Sequence, residues 1–242
     1  YKSPVDNGVY AVKQDGRLIP LSKADYQCIS VAIVHDDHKI MIEKNEDSNQ
    51  SYKTATSGLP DSSNKTYSFY WGEYGTDQTG ITNYDKVDGS NDFGFLKPER
   101  DSYKGTPYLP DDVSSWTNGA LSDWDGKANS NVLKGVTTGG GSYTSYATIG
   151  HVLNTFLASA DAKGYDDWYI PSCGQLSLIY MYLISVNNAL LAIGGQPLDT
   201  RYYWSSSEHS SNSGWIVLFN NGRTFTRYKR LTSSVRFVRD IE

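Results

Sequence analysis

Cysteine is almost missing from this 242-residue chain: Cys28 and Cys173 stand far apart. Two cysteines make no disulfide framework, so the fold must rest on an apolar core, and the pair reads as two free thiols. No run of about 18 apolar residues occurs, so no transmembrane helix is expected. The net charge of -5 gives no basic surplus for nucleic-acid binding. There is no GxSxG, HExxH, P-loop or Cys-x-x-Cys, so neither a catalytic residue nor a cofactor is expected. Internal repeats are absent. The chain starts at Tyr1 rather than Met, which reads as a trimmed or processed sequence.

What is present is tyrosine, 19 of them, with abundant Gly, Ser and Asn. That composition suits β structure, long loops and recognition surfaces. Charge is uneven: from Arg201 onward there are seven basic residues against three acidic ones. The length fits one large domain or two small ones, and a single domain is the expectation here.

Along the chain, "GVYAV", a "QDG" turn and "RLIPL" open the sequence, then "CISVAIVH", "DDH" and "KIMIE" read as a hairpin. Residues 45–145 form a loop-rich insertion, expected to be ordered by buried Trp71, Trp116 and Trp124, with "SFYWGEYG" reading as a short strand. Ile149, Val152, Leu153, Phe156, Leu157 and Ala160 recur at helical spacing, and Gly164 follows as a stop. One or two further helices are expected from about Gly174 to Ile193, broken near Ser185–Asn187 and ended by Gly194-Gly195. "YYWSSS", "GWIVLF", "RTFTRY" and "SVRFVR" then close the chain as strands. The order predicts an α+β protein, with two helical segments packed on antiparallel sheets.

Two metal readings compete with plain turns. His35 and His38 flank the "DDH" turn and read as exposed turn histidines unless two further ligands join them. Asp85, Asp88 and Asp92 around Gly89 suit a calcium ion but lack the spacing of a full calcium loop.

"GYDDWYIPSCGQL", Gly164 to Leu176, followed by Tyr202-Tyr203-Trp204-Ser205-Ser206-Ser207 and by Val235-Arg236-Phe237-Val238-Arg239, resembles a bacterial family with a C-type-lectin-like fold, shared with formylglycine-generating enzymes. With "NGVYAVKQDGRLIPL" and "ISVAIVHDDHKIMIEK", it resembles a gut-bacterial and phage branch, the variable proteins of diversity-generating retroelements. The resemblance covers residues 7–44 and 146–239. It implies a ligand-binding receptor or adhesin on a cell surface or phage tail, whose partner is a macromolecule, protein or glycan. A formylglycine-type enzyme would need a reactive cysteine pair near the C-terminal part, where only Cys173 lies. A calcium-dependent lectin would need sugar-binding triplets that are missing; "GGQPLDT" comes near one.

In such retroelements, errors at template adenines rewrite the end of the gene, and asparagine codons randomised this way never yield Lys, Glu, Gln, Met or Trp. Laid on this sequence, the drifting, ligand-facing positions are Ser210, Ser213, Ile216, Leu218, Arg223, Phe225, Thr226, Arg227, Tyr228, Arg230, Leu231 and Ser233. The fixed scaffold comprises Trp204, Ser205, Ser206, Trp215, Val217, Phe219, Gly222, Lys229, Val235 and Arg236. From His209 to Ser234 the only members of the excluded set are Trp215 and Lys229, both at scaffold positions.

Strand alternation then makes a geometric claim. If Trp215, Val217 and Phe219 face a core, Ile216 and Leu218 point the other way. The expectation is one contiguous, solvent-open surface of Ile216, Leu218, Arg223, Phe225, Arg227, Tyr228 and Arg230. Its rival is a strand covered on both faces, with Ile216 and Leu218 beneath the insertion.

Overall fold

Strand β3 (Ser30–His35) is buried at every position, which is the signature of a strand with packing on both faces. A computed structural model describes residues 6–45, 69–87, 94–95, 119–143 and 147–241. Within these the architecture is mixed α+β, with two antiparallel sheets and four α-helices. The first sheet has the order β2-β1-β3-β4-β9, formed by Leu18–Ile19, Gly8–Val12, Ser30–His35, His38–Glu43 and Val238–Asp240. The predicted N-terminal hairpins are therefore present, and β9 brings the C-terminal end beside β4 through Met41 opposite Arg239. The second sheet has the order β5-β8-β7-β6, formed by Gly94–Phe95, Arg223–Tyr228, Ser213–Leu218 and Tyr202–Ser210.

Two cores follow from the alternation. Val31, Ile33, Ile40 and Ile42 on one face of the first sheet join helices α3 (Cys173–Met181) and α4 (Leu183–Ala192), and Tyr203, Val217 and Phe219 of the second sheet. On the other face, Ala32 and Met41 join helix α2 (Ile149–Leu157), and with Phe69, Trp71, Trp168, Trp204 and Ile216 they form a second core. The central strands of both sheets are thus packed on both faces.

The helices differ from expectation in their ends. Thr148 caps α2, its Oγ1 accepting from the His151 N–H at 3.2 Å. The helix stops at Leu157, because Ser159 starts a separate 3-10 turn over Ala160–Ala162 before Gly164 is reached. The break between α3 and α4 falls at Tyr182, not near Ser185–Asn187, with a bend of 76°. Tyr182 is held there by its hydroxyl, 2.8 Å from His35 Nδ1. Gly194 and Gly195 end α4 as predicted: the Gly195 N–H reaches Leu190 O at 2.7 Å and the Gly194 N–H reaches Leu191 O at 3.0 Å. Those paired bonds are the glycine-dependent stop of a Schellman motif, with Gly194 at a positive φ of 70°.

The insertion is visible in part. Residues 69–71 run along the C-terminal segment, as single bridges rather than a strand, with reciprocal backbone bonds between Phe69 and Ser233 at 2.9 and 3.1 Å. Two indole N–H groups fix this segment to β6: Trp71 donates to Ser205 O and Trp204 donates to Phe69 O, each at 2.7 Å. Trp71 is fully buried, Trp124 is half-buried, and Trp116 lies outside the described residues.

The motif "GYDDWYIPSCGQL" has a structural explanation. Asp167 accepts two bonds of 2.8 Å from the Arg239 guanidinium, which ties the motif to β9. Ser172 and Gln175 form a capping box at the start of α3. Gly174 lies so close to the 121–123 backbone that an added Cβ would sit 2.6 Å from Leu121 O.

Candidate functional site

Strand β7 pairs with β6 through Tyr202–Leu218 and Trp204–Ile216, and with β8 through Leu218–Arg223, Ile216–Phe225 and Gly214–Arg227. One face of this three-stranded unit therefore carries Tyr202, Trp204, Ile216, Leu218, Arg223, Phe225 and Arg227, as cross-strand partners share a face. The opposite face carries Tyr203, Trp215, Val217 and Tyr228.

The expected contiguous surface does not form. Ile216 is 0% exposed, packed with Trp71, Phe69 and Trp204 in the second core. Ser213 and Ser233 are buried as well. The insertion covers this end of the strand, so the alternative of a strand with both faces packed is correct for Ile216, while Leu218, nearer the hairpin loop, is half-buried. The scaffold residues Trp204, Trp215, Val217, Phe219, Val235 and Arg236 are all buried. Gly222 takes a φ of 73° in the loop after β7, where its N–H reaches Leu218 O at 2.8 Å. Lys229 is buried too, in an ion pair with Glu208, and its Nζ also donates to Thr76 O at 2.7 Å. Burial pulls the Lys229 pKa down and pushes the Glu208 carboxyl up, each offset in part by the partner's charge.

Two arginine–aromatic groups remain in contact with solvent, because Arg227 and Tyr228 leave β8 on opposite sides. In the first, Tyr202 and Phe225 meet edge to face at 5.9 Å, the Arg227 guanidinium lies 4.8 Å from the Tyr202 ring, and Arg223 lies 4.8 Å from Phe225. Arg227 Nη2 donates to Thr232 O at 3.2 Å, which fixes the side chain. Burial lowers the Arg227 pKa, though a guanidinium stays charged at any physiological pH. In the second group, Arg230 lies 5.0 Å from the Tyr74 ring and 5.4 Å from Tyr228, and the two tyrosines meet edge to face at 6.4 Å. Tyr228 is 51% exposed, Leu231 41% and Tyr202 38%. Ser210 and Thr226 are half-buried between core and rim.

Sequence reasoning missed Tyr202 and Tyr74. For Tyr202 a signal existed: it stands two residues before Trp204, which puts both on one side of a strand. Tyr74 comes from the insertion, and nothing local marked it.

The other candidate chemistry resolves into structure. Both cysteines are free and buried. Burial, with the nearby Asp123 charge, pushes the Cys173 thiol well above its ordinary range, which opposes a thiolate. Asp123 is buried and accepts from Ser207 Oγ at 2.5 Å and Asn129 Nδ2 at 2.9 Å. Burial raises its pKa, against those bonds. His35 is not an exposed turn residue but a buried one, and His38 stacks on Trp124 at 3.6 Å. Among the described residues no three His, Cys, Asp or Glu side chains are grouped to hold a metal ion. Asp88 and Asp92 lie outside them.

No protein-family model matches the chain, and no curated protein matches it either. Among solved structures it is similar to a fimbrial protein from Bacteroides ovatus, at 17% identity and a TM-score of 0.48, over 98% of this chain and 49% of that one. The chain therefore spans about half the length of that structure.

Proposed function

We propose that the chain is a recognition domain with a C-type-lectin-like fold, presenting the solvent side of its last hairpin to a macromolecule at a bacterial cell surface. It acts by binding, without chemistry or cofactor. The observation that carries the reading is the pair of arginine–aromatic groups, Tyr202–Arg223–Phe225–Arg227 and Tyr74–Tyr228–Arg230, set beside the buried Tyr203, Trp204, Trp215, Ile216 and Val217 of the same sheet. Aromatic and arginine side chains supply large contact area, stacking and charge-assisted bonds at low entropic cost.

The resemblance to retroelement variable proteins adds that such a rim is exchangeable. Nine of the twelve positions suggested by sequence reach solvent at least in part; Ser213, Ile216 and Ser233 do not. A near-copy of the coding segment for Tyr202 to Arg239, lying beside a reverse-transcriptase gene, should carry its adenines at codons of the nine and spare the three. The binding claim is tested by screening the chain against glycan arrays and intact gut-bacterial cells, then repeating any hit with Arg223→Ala, Arg227→Ala and Tyr228→Ala. Loss of binding with an unchanged melting midpoint supports the rim. Binding that survives all three substitutions refutes it.

A further inference from the structure

A second concave feature lies outside the hairpin rim. It is a cleft of about 430 Å³ formed by the β3–β4 turn, the loop before helix α1 (Gly126–Leu133), the start of α3 and the end of β9. Its lining includes Asp36, Asp37, His38, Trp124, Gln175 and Asp240. One wall is aromatic, from the stacked His38 imidazole and Trp124 indole, with an interplanar angle of 13°. Trp124 is placed by its neighbour Asp123, whose carbonyl accepts from Ser172 Oγ at 2.6 Å and from the Gly174 N–H at 3.1 Å. Burial, then the nearby His35, lowers the His38 pKa and favours a neutral ring.

Asp240 is held by a buried chain. Gln175, only 6% exposed, donates from Nε2 to the Tyr169 hydroxyl at 2.9 Å, and that hydroxyl donates to Asp240 Oδ1 at 2.5 Å. Asp240 Oδ2 has a looser neighbour, Lys127 Nζ at 3.7 Å. Asp36 is occupied: Oδ1 accepts from Asn7 Nδ2 at 2.9 Å, and Oδ2 stands 3.7 Å from His35 Nε2. The Asp37 carboxylate has no hydrogen-bond or ion-pair partner among the described residues. Three carboxylates thus face one ammonium, Lys39, in the lining.

A planar aromatic wall beside a pre-positioned carboxylate matches one cation better than others. A guanidinium stacks on a ring face and forks onto a carboxylate, whereas an ammonium is a hydrated point charge. We propose that this cleft binds a guanidinium group, held by Asp37 and Asp240 against the His38–Trp124 pair. The group could come from a small guanidino compound or from an arginine side chain of a partner.

The test is an NMR titration of the intact chain with Nα-acetylarginine amide to about 20 mM, following the Trp124 indole N–H, with the citrulline and lysine counterparts as controls. Saturable shifts with the arginine probe are expected, at least about fivefold weaker with the lysine probe and absent with citrulline. Asp37→Asn should weaken binding at least about fivefold; the carboxylate is exposed, so misfolding is no explanation. Asp240→Asn should do the same with an unchanged melting midpoint. Agmatine binding as tightly as the arginine probe supports a small-molecule source, and much tighter binding of an arginine-containing peptide supports a partner protein. Equal response to citrulline or lysine, or no saturable shift, overturns the proposal. Arg223→Ala and Arg227→Ala should leave this titration unchanged, which separates it from the hairpin rim.

Discussion

Strands β7 and β8 are neighbours of six residues each in one hairpin, yet they meet opposite fates. In β7 every residue but Leu218 is buried, while in β8 only Thr224 is. The difference does not lie in apolar content alone, since β8 carries Phe225 and Tyr228. It lies in position: β7 is central, with β6 and β8 at its edges, α3 packed on one face and Trp71 on the other, while among the described residues β8 has only the two-residue β5 beyond it. A central strand under cover on both sides tolerates a continuous apolar run, and an edge-side strand shows its alternation to solvent. Buried packing is therefore concentrated in β7, and solvent-facing arginine and aromatic side chains in β8.

The largest effect should come from cutting into the covered strand. Trp215→Ala should lower stability by about 3–5 kcal/mol in denaturant melts. Lys229→Ala, one residue past β8, should cost a similar ~3–5 kcal/mol because it strands the buried Glu208 carboxylate. Both groups of that pair are fully buried, so a small effect would show that Lys229 belongs to the rim. Ile216→Ala is the sharper test of the two-faced packing, at about 2–5 kcal/mol. A cost near zero would restore the exposed row that alternation alone suggests.

A smaller, pH-dependent effect is expected where β9 is fastened. Burial works to raise the Asp167 pKa, but the Arg239 bonds and charge prevail and hold it below the ordinary carboxylate value. A lowered folded pKa means the contribution is present above the unfolded value of about 3.9 and is lost as pH falls through the lower folded value. Melts from pH 6 down to about 2 should show this loss, and Asp167→Asn should remove that part of the slope. Smallest of all, Tyr228→Ala should shift stability by under ~0.5 kcal/mol, as exposed substitutions do.

How far the sequence led can be traced through particular residues. The N-terminal hairpins were legible because turn residues punctuate alternating or apolar runs, and the glycine stop of α4 because Gly194-Gly195 can adopt the required backbone. The helix break is not legible locally: Ser185 and Asn187 look like interruptions, whereas the bend is set at Tyr182, whose hydroxyl meets His35 across 147 residues of sequence. The parity of Ile216 is legible in the sequence, and its environment is not. Alternation says which side a residue faces; it does not say what covers that side. Here the cover is Trp71, bonded to Ser205 from 134 residues away. The same contact accounts for Gly214, where an added Cβ would sit 2.7 Å from the Trp71 ring.

The most direct test of the division between the strands is the affinity of a rim variant for whatever ligand the glycan and cell screens return. Arg223→Ala, Arg227→Ala and Tyr228→Ala combined in one chain should weaken binding at least about tenfold, as loss of arginine and tyrosine anchors does, while the melting midpoint stays within a few degrees of the parent. Unchanged affinity in that variant would contradict the account, because recognition would then reside elsewhere on the molecule.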